Sequence, residues 1–308
     1  MPAPPPALPG PAALPAPPSP ASLPSAGRCL VMGVVNVTPD SFSDGGRWYD
    51  PRSAIAHGLE LAAQGADIVD VGGESTRPGA QRVSAEEELR RVIPVIAELV
   101  RSGVVVSVDT MRAAIAEAAL EAGAALVNDV SGGLADPYMP RLVAQADTPY
   151  VLMHWRGHSR DMNARGAYAD VVEEVRAELA MRIEAVTAEG VDPGLIVLDP
   201  GLGFSKMPAA SGPDAHNWQL LAHLRQVASI GGQEFPVLVG ASRKRFLGRL
   251  LANQDGIPRP FTQSDAATLA ITALAAAAGA WCVRVHEVPA NADAVRVASA
   301  WRAATVIT

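Results

Sequence analysis

With 308 residues, 49% of them hydrophobic, the chain can bury a large core, and its length suits one α/β barrel or two smaller domains. A formal net charge of −7 without a dense Lys/Arg tract argues against a nucleic-acid or anionic-membrane surface, so an anionic substrate has to be met by local cations. Two cysteines, Cys29 and Cys282, make no disulfide framework and fit a cytoplasmic chain with buried, reduced thiols.

Residues 1–27 hold eleven of the 26 prolines and no charged side chain, which rules out a helix or packed strand. They read as a disordered Pro/Ala-rich tail, without the basic start and continuous apolar run of a secretory signal. From residue 28 to 308 the chain reads as a single domain. Apolar runs there end repeatedly on polar side chains. Leu30–Val35 leads into Asn36, Ile68-Val69 into Asp70, Val104–Val108 into Asp109, and Ala124–Val127 into Asn128-Asp129. Tyr150–Met153 leads into His154, Leu195–Leu198 into Asp199, Val237–Gly240 into Ser242-Arg243-Lys244, and Trp281–Val285 into His286.

Helical periodicity fills the gaps between these runs. Ser53 is placed to cap a helix with Ile55, Leu59 and Ala62 on one face, ending at Gly65. Ser84 and Glu87 have capping-box spacing, and Pro94 interrupts the helix they start. An Ala-rich helix follows Thr110 and closes at Gly123, and Asp136-Pro137 has the order of a helix start. Residues 170–189 form a longer amphipathic helix. Ser242 is placed to cap a short one, Asp265 opens an Ala-rich one, and Asn291 or Asp293 opens the last. The uncharged stretch Ala266–Val283 is long enough to cross a bilayer. Its alanines, Thr268, Thr272 and the Gly279 break read better as a helix packed on a sheet, followed by a strand. Eight strands, each followed by a helix, predict a (β/α)8 TIM barrel of the α/β class, with its chemistry at the C-terminal strand ends. An open doubly wound sheet lacks its glycine fingerprint, because Gly72-Gly73 and Gly201-Leu202-Gly203 are too short for it. His57 and His216 read as surface helix residues, and His154 as a strand-end residue without a role.

Two loops are dense in small polar groups. One is Asn36–Gly46 after the first strand, and the other is Asp70–Gly79 after the second, where Arg77 offers an anion fork. Each alone is compatible with an ordinary turn. Together, in this order, they resemble the signature segments of dihydropteroate synthase. The resemblance continues through Ser107–Thr110, Val127–Val130, Leu152–His154, Asp199–Phe204, Gly240–Lys244 and Val283–His286, over roughly residues 29–300.

That resemblance implies condensation of 6-hydroxymethyl-7,8-dihydropterin diphosphate with 4-aminobenzoate. It implies a pterin pocket of Asp109, Asn128, Asp199, Lys244 and Met153, and a diphosphate site of Asn36, Arg77, Arg284 and His286. It also implies an aminobenzoate site of Thr76, Phe204, Ser242 and Phe42. Lys244, Asn36, Arg284 and His286 are the expected catalytic set, with Asn36 as a ligand to Mg²⁺. The physical chemistry agrees. A 2-amino-4-oxo pyrimidine presents donors that two carboxylates accept, and acceptors for an amide and an ammonium. Mg²⁺ uses few protein ligands and relies on waters and phosphates, so an asparagine suffices. Arg284 and His286 alternate along a strand and face the same way. The family also implies a homodimer through the later helices. Other readings are a pterin-binding methyltransferase domain, a non-catalytic paralogue, and an unrelated phosphate-binding barrel, whose Schiff-base lysine Lys244 fits poorly.

Overall fold

The computed structural model describes residues 23–38, 50–74, 83–157, 167–204, 206 and 214–305. Most of the proline-rich tail, residues 39–46 and 75–79 of the two polar loops, with Phe42, Thr76 and Arg77, and residues 207–213 lie outside those residues.

Eight parallel strands form the sheet: β1 Leu30–Asn36, β2 Ile68–Gly72, β3 Val106–Asp109, β4 Leu126–Asp129, β5 Tyr150–Met153, β6 Ile196–Asp199, β7 Leu238–Val239 and β8 Cys282–Val285. Their order is β6, β5, β4, β3, β2, β1, β8, β7, and a parallel bridge between Leu198 and Val237 joins the two ends. The sheet is therefore a barrel, nearly closed, as the alternation of apolar runs and helices predicts. Cys282 pairs with Leu30 across the β1–β8 seam, and both cysteines are buried and free.

The helices are α1 Pro51–Ala63, α2 Ala85–Arg101, α3 Ala113–Glu121, α4 Met139–Ala146, α5 Val171–Ala188, α6 Ala215–Ala222, α7 Leu224–Ala228, α8 Arg245–Leu250, α9 Asp265–Ala278 and α10 Pro289–Thr305. Among the described residues no helix is long and apolar enough to cross a membrane. The Ala266–Val283 stretch is α9 followed by β8. Strand side chains alternate between two cores. Val31, Val35, Val69, Val71, Val106 and Val108 point outward into the layer under the helices. Leu30, Met32, Ile68, Leu126, Val151, Val197, Leu238 and Cys282 point inward and fill the barrel floor. Leu23 and Trp281 pack below that floor, and Trp281 Nε1 donates to the Pro24 carbonyl at 3.0 Å, so the end of the tail docks on the barrel.

Several helix starts differ from the sequence expectation. Asp50, not Ser53, caps α1, accepting from the Ser53 amide at 3.1 Å with Pro51 at the first helical position. The buried face of α1 is Ala54, Gly58 and Leu61, while Leu59 is exposed. α2 runs unbroken through Pro94 from the Ser84 cap, whose oxygen accepts from Glu87 N at 3.2 Å. α4 starts at Met139, two residues after Pro137, because the Asp136 carboxylate is shared between Tyr138 N and the first amide of α3 at Ala113. α10 starts at Pro289, and Asn291 is instead buried, accepting from Thr272 at 2.6 Å and donating to the Glu287 carbonyl at 2.7 Å. A short hairpin, Ser229-Ile230 against Gln233-Glu234, turns on Gly231-Gly232, both at positive φ.

Candidate active site

Above the apolar floor the inward positions turn polar. Continuing the alternation, Asp70 follows Ile68, Asn128 follows Leu126, Asp199 follows Val197 and Arg284 follows Cys282, with Asp109 at the end of β3. Asp70, Asp109, Asn128 and Asp199 are all buried. Met153, also buried, closes β5 opposite Asp199. The structure therefore brings the expected pterin residues to one end of one barrel.

Arg284 ties three of the strands together. Its Nε donates to Asp70 Oδ2 at 2.6 Å and its Nη2 to Asp109 Oδ2 at 2.7 Å. Asn128 Nδ2 also donates to Asp70 Oδ2, at 3.1 Å. Asp70 is thus the hub of the mouth, a role its strand-end position alone does not reveal. The chain order hides it: β8 reaches β2 only across β1, through barrel closure. The other Asp70 oxygen and the Ser107 hydroxyl, on register-paired residues of β2 and β3, are buried and have no hydrogen-bond partner among the described residues. Burial raises the pKa of Asp109 against the pull of Arg284, with Asp70 adding to the rise.

Lys244 follows β7, the strand that pairs with β8. Its Nζ lies 4.0 Å from the Phe204 ring centroid, a cation–π pair. Burial lowers it to about 8, opposed by Asp199. Asp199 is itself raised by burial, opposed by the Gly201 amide and then by Lys244. Gly203 comes so close that a Cβ there would lie 3.1 Å from Lys244 Cδ.

Ser242 does not cap α8. That helix starts at Arg245 with Lys244 in the cap position, and the left-handed Arg243 (φ 57°) turns the chain toward Asp265, which it meets at 3.1 and 3.2 Å. The Ser242 hydroxyl instead reaches His286, accepting from its backbone N–H at 3.2 Å and lying 2.9 Å from Nδ1. His286, half-buried just beyond β8, and Asn36, half-buried at the end of β1, flank the closure seam. Among the described residues no three His, Cys, Asp or Glu side chains are grouped to hold a metal. An ion brought in by a phosphate, with Asn36 as a neutral oxygen ligand, is compatible with that donor set.

His216 is not a surface residue, whereas His154 follows its strand as expected. His154 is buried at the end of β5, and His216 is buried edge-on to Tyr168 with ring centroids 5.0 Å apart.

The family model described as pterin binding enzyme matches residues 32–286. A dihydropteroate synthase of Mycobacterium leprae is 54% identical over 272 residues, which is 88% of this chain and 93% of that protein. The Xanthomonas albilineans dihydropteroate synthase solved with 4-aminobenzoic acid is 45% identical and superposes with a TM-score of 0.78 over 91% of this chain and 94% of that one. The same enzyme solved with 7,8-dihydropteroate gives 42% identity and a TM-score of 0.75, covering 91% and 95%. Its polar-mouthed barrel and its similarity to these proteins along most of their length place the chain in the dihydropteroate synthase family of pterin-binding transferases.

Proposed function

We propose that the barrel mouth joins 6-hydroxymethyl-7,8-dihydropterin diphosphate to 4-aminobenzoate, with the roles divided between its two sides. The observation that carries this division is the set of buried polar ends Asp109, Asn128 and Asp199, with the paired Lys244 and Phe204 beside Asp199. The pterin edge fits between the carboxylates and the Asn128 amide, because a carboxylate has about four acceptor sites and Arg284 occupies only one on Asp109. A ring that presents matching donors leaves no buried group unpaired, and an analogue that lacks one forfeits about 1 to 3 kcal/mol.

The reaction breaks the bond from the pterin CH2 to the diphosphate oxygen, which leaves with the bonding pair. A C–N bond forms to the aniline nitrogen, which then sheds a proton. No protein nucleophile is required, since diphosphate leaves well and the pterin is electron-rich. Asn36, Arg77, Arg284 and His286 form the diphosphate site. A Ser242 hydroxyl that donates to His286 Nδ1 leaves the ring proton on Nε2 as a donor. Arg284 balances Asp70 and Asp109, and can offer its guanidinium to the leaving group. Magnesium, held by Asn36 and the diphosphate oxygens, would supply charge neutralisation at the leaving group. Aminobenzoate packs against Phe204 beside Lys244, with its carboxylate toward the Ser242–Arg245 turn, and Thr76 and Phe42 complete that subsite.

We place the enzyme in the cytoplasm, in keeping with its two reduced cysteines. We read it as a homodimer through α9 and α10, whose exposed Leu274, Val297 and Trp301 are large apolar side chains. The deciding assay measures diphosphate release. It is expected only when both substrates and Mg²⁺ are supplied, and to be lost in Lys244→Ala. Pterin binding without turnover in the wild type would point to a non-catalytic paralogue.

A further inference from the structure

His154 and Lys206 have no part in the reaction scheme, yet they are among the most constrained groups near the mouth. The His154 ring is 1% exposed, and both of its nitrogens are engaged. Nε2 lies 2.9 Å from Glu178 Oε2 on α5, and Nδ1 lies 3.3 Å from Lys206 Nζ. The same ammonium donates to the Phe204 carbonyl at 2.9 Å and to the Gly201 carbonyl at 3.2 Å. Three N–H bonds thus meet three acceptors, which is the full capacity of a lysine.

Two of those acceptors lie in the loop that follows Asp199. That loop is tightly wound: Gly201 N donates to Asp199 Oδ1 at 2.7 Å, Phe204 N to the Gly201 carbonyl at 3.0 Å, and Gly203 N to Asn217 Oδ1 at 2.7 Å. Gly201 and Gly203 both have positive φ, and a Cβ on Gly201 would lie 2.5 Å from the His154 carbonyl. The loop is therefore clasped between the His154 backbone and ring on one side and Lys244 on the other. On the Lys244 side it carries the half-buried Phe204, the proposed aminobenzoate wall.

We infer that Lys206 is a positioning residue, which ties the Gly201–Phe204 loop to His154 and Glu178 and so holds Asp199 and Phe204 in place for the two substrates. The inference rests on the proposed division of the site. An acceptor role for Nδ1 requires His154 to be neutral with its proton on Nε2, donating to Glu178. The surroundings favour that state. Burial lowers His154 to about 4, with Lys206 and Arg156 pushing the same way and the bond to Glu178 opposing. Arg156 in turn neutralises Glu178 and Glu174 and covers the Tyr168 ring at 3.9 Å. A metal-ligand or acid–base role for His154 is excluded by geometry, because neither nitrogen faces the mouth with a free lone pair.

The test is Lys206→Met, which keeps the length of the side chain and removes its donors, followed by steady-state kinetics with both substrates. The expected result is a rise of tenfold or more in KM for aminobenzoate, with kcat changed less than threefold and the melting temperature close to wild type. In parallel, ¹⁵N-histidine spectra of the wild type, assigned by comparison with His154→Gln, should show His154 with an unprotonated Nδ1 and protonated Nε2 between pH 5.5 and 6.5, where Lys206 is charged. In Lys206→Met the Nδ1 resonance of that histidine should move toward the position of a free acceptor. Wild-type kinetics in Lys206→Met would overturn the inference. So would a protonated Nδ1 on His154 in the wild type, which needs no variant to detect. A wild-type protein without turnover would fail the reading of the site instead, and the histidine spectra would still decide whether Lys206 donates.

Discussion

Two half-buried lysines give the mouth a pH dependence with a definite sign. Burial lowers Lys206 to about 7 and Lys244 to about 8, against an ordinary value of 10.5, with Asp199 opposing both shifts. Each is charged below its value and neutral above it, so the interactions that need the ammonium are lost as pH rises. The expected profile of kcat/KM for the free enzyme falls above pH 7 and steepens above 8. Lys206→Met should remove the first limb, and Lys244→Arg should move the second beyond pH 9. A flat profile to pH 9 would show that neither charge is needed. Asp70 gives a second test at this scale. Asp70→Asn keeps the shape but removes the charge that balances Arg284. The expected loss is 10- to 100-fold in kcat/KM for the pterin diphosphate, since a hydrogen bond to a charged group is worth about 1.5 to 3 kcal/mol. Unchanged kinetics would leave Asp70 as framework only.

At the scale of elements, the contrast between Asn128 and its neighbour Asp129 marks what is legible in the sequence. The two residues end one apolar run and look alike as candidates. Strand alternation allows only one of them to face the mouth. Asn128 does, and Asp129 points outward, where it accepts from Ser131 N and Oγ, Gly133 N and Tyr150 Oη at 2.7 to 2.8 Å. It folds the loop after β4 and so holds the end of the strand that carries Asn128. Asp129→Ala should lower the unfolding free energy by about 3 kcal/mol or more, and Tyr150→Phe by about 1 to 1.5 kcal/mol, in denaturant titrations. Equal losses would mean that the Tyr150 bond, not the loop amides, carries the effect. The strands and their polar ends were readable because period-two alternation and strand-end position are local. The helix starts were less so: Asp136 serves the helix at Ala113 as well as its own, and a carboxylate shared between two helices leaves no mark in the spacing of either. His154, Asp70 and Lys206 were opaque for the same reason, since their partners lie 24, 214 and 52 positions away.

At the scale of the whole molecule, barrel closure makes β1 and β8 neighbours, and the two helices beside that seam, α9 and α10, pack on each other. Both also present large apolar side chains outward: Leu274 is 71% exposed on α9, and Val297 and Trp301 are 67% and 70% exposed on α10. Scattered single exposed residues are ordinary, but three on one helix pair mark a surface suited to burial. Trp is the residue type most often found to anchor an interface. A two-fold axis across this pair would bury the same patch on both copies, as an isologous dimer requires. The described residues of the mouth lie on strand ends of one chain, away from this helix face, so turnover should not depend on assembly. Light scattering is expected to give twice the chain mass for the wild type and one chain mass for Trp301→Glu, with kcat/KM of that variant within threefold of wild type. A wild-type mass of a single chain at micromolar concentration would remove the dimer. A monomeric variant that had lost activity would mean that the partner copy completes or steadies the site.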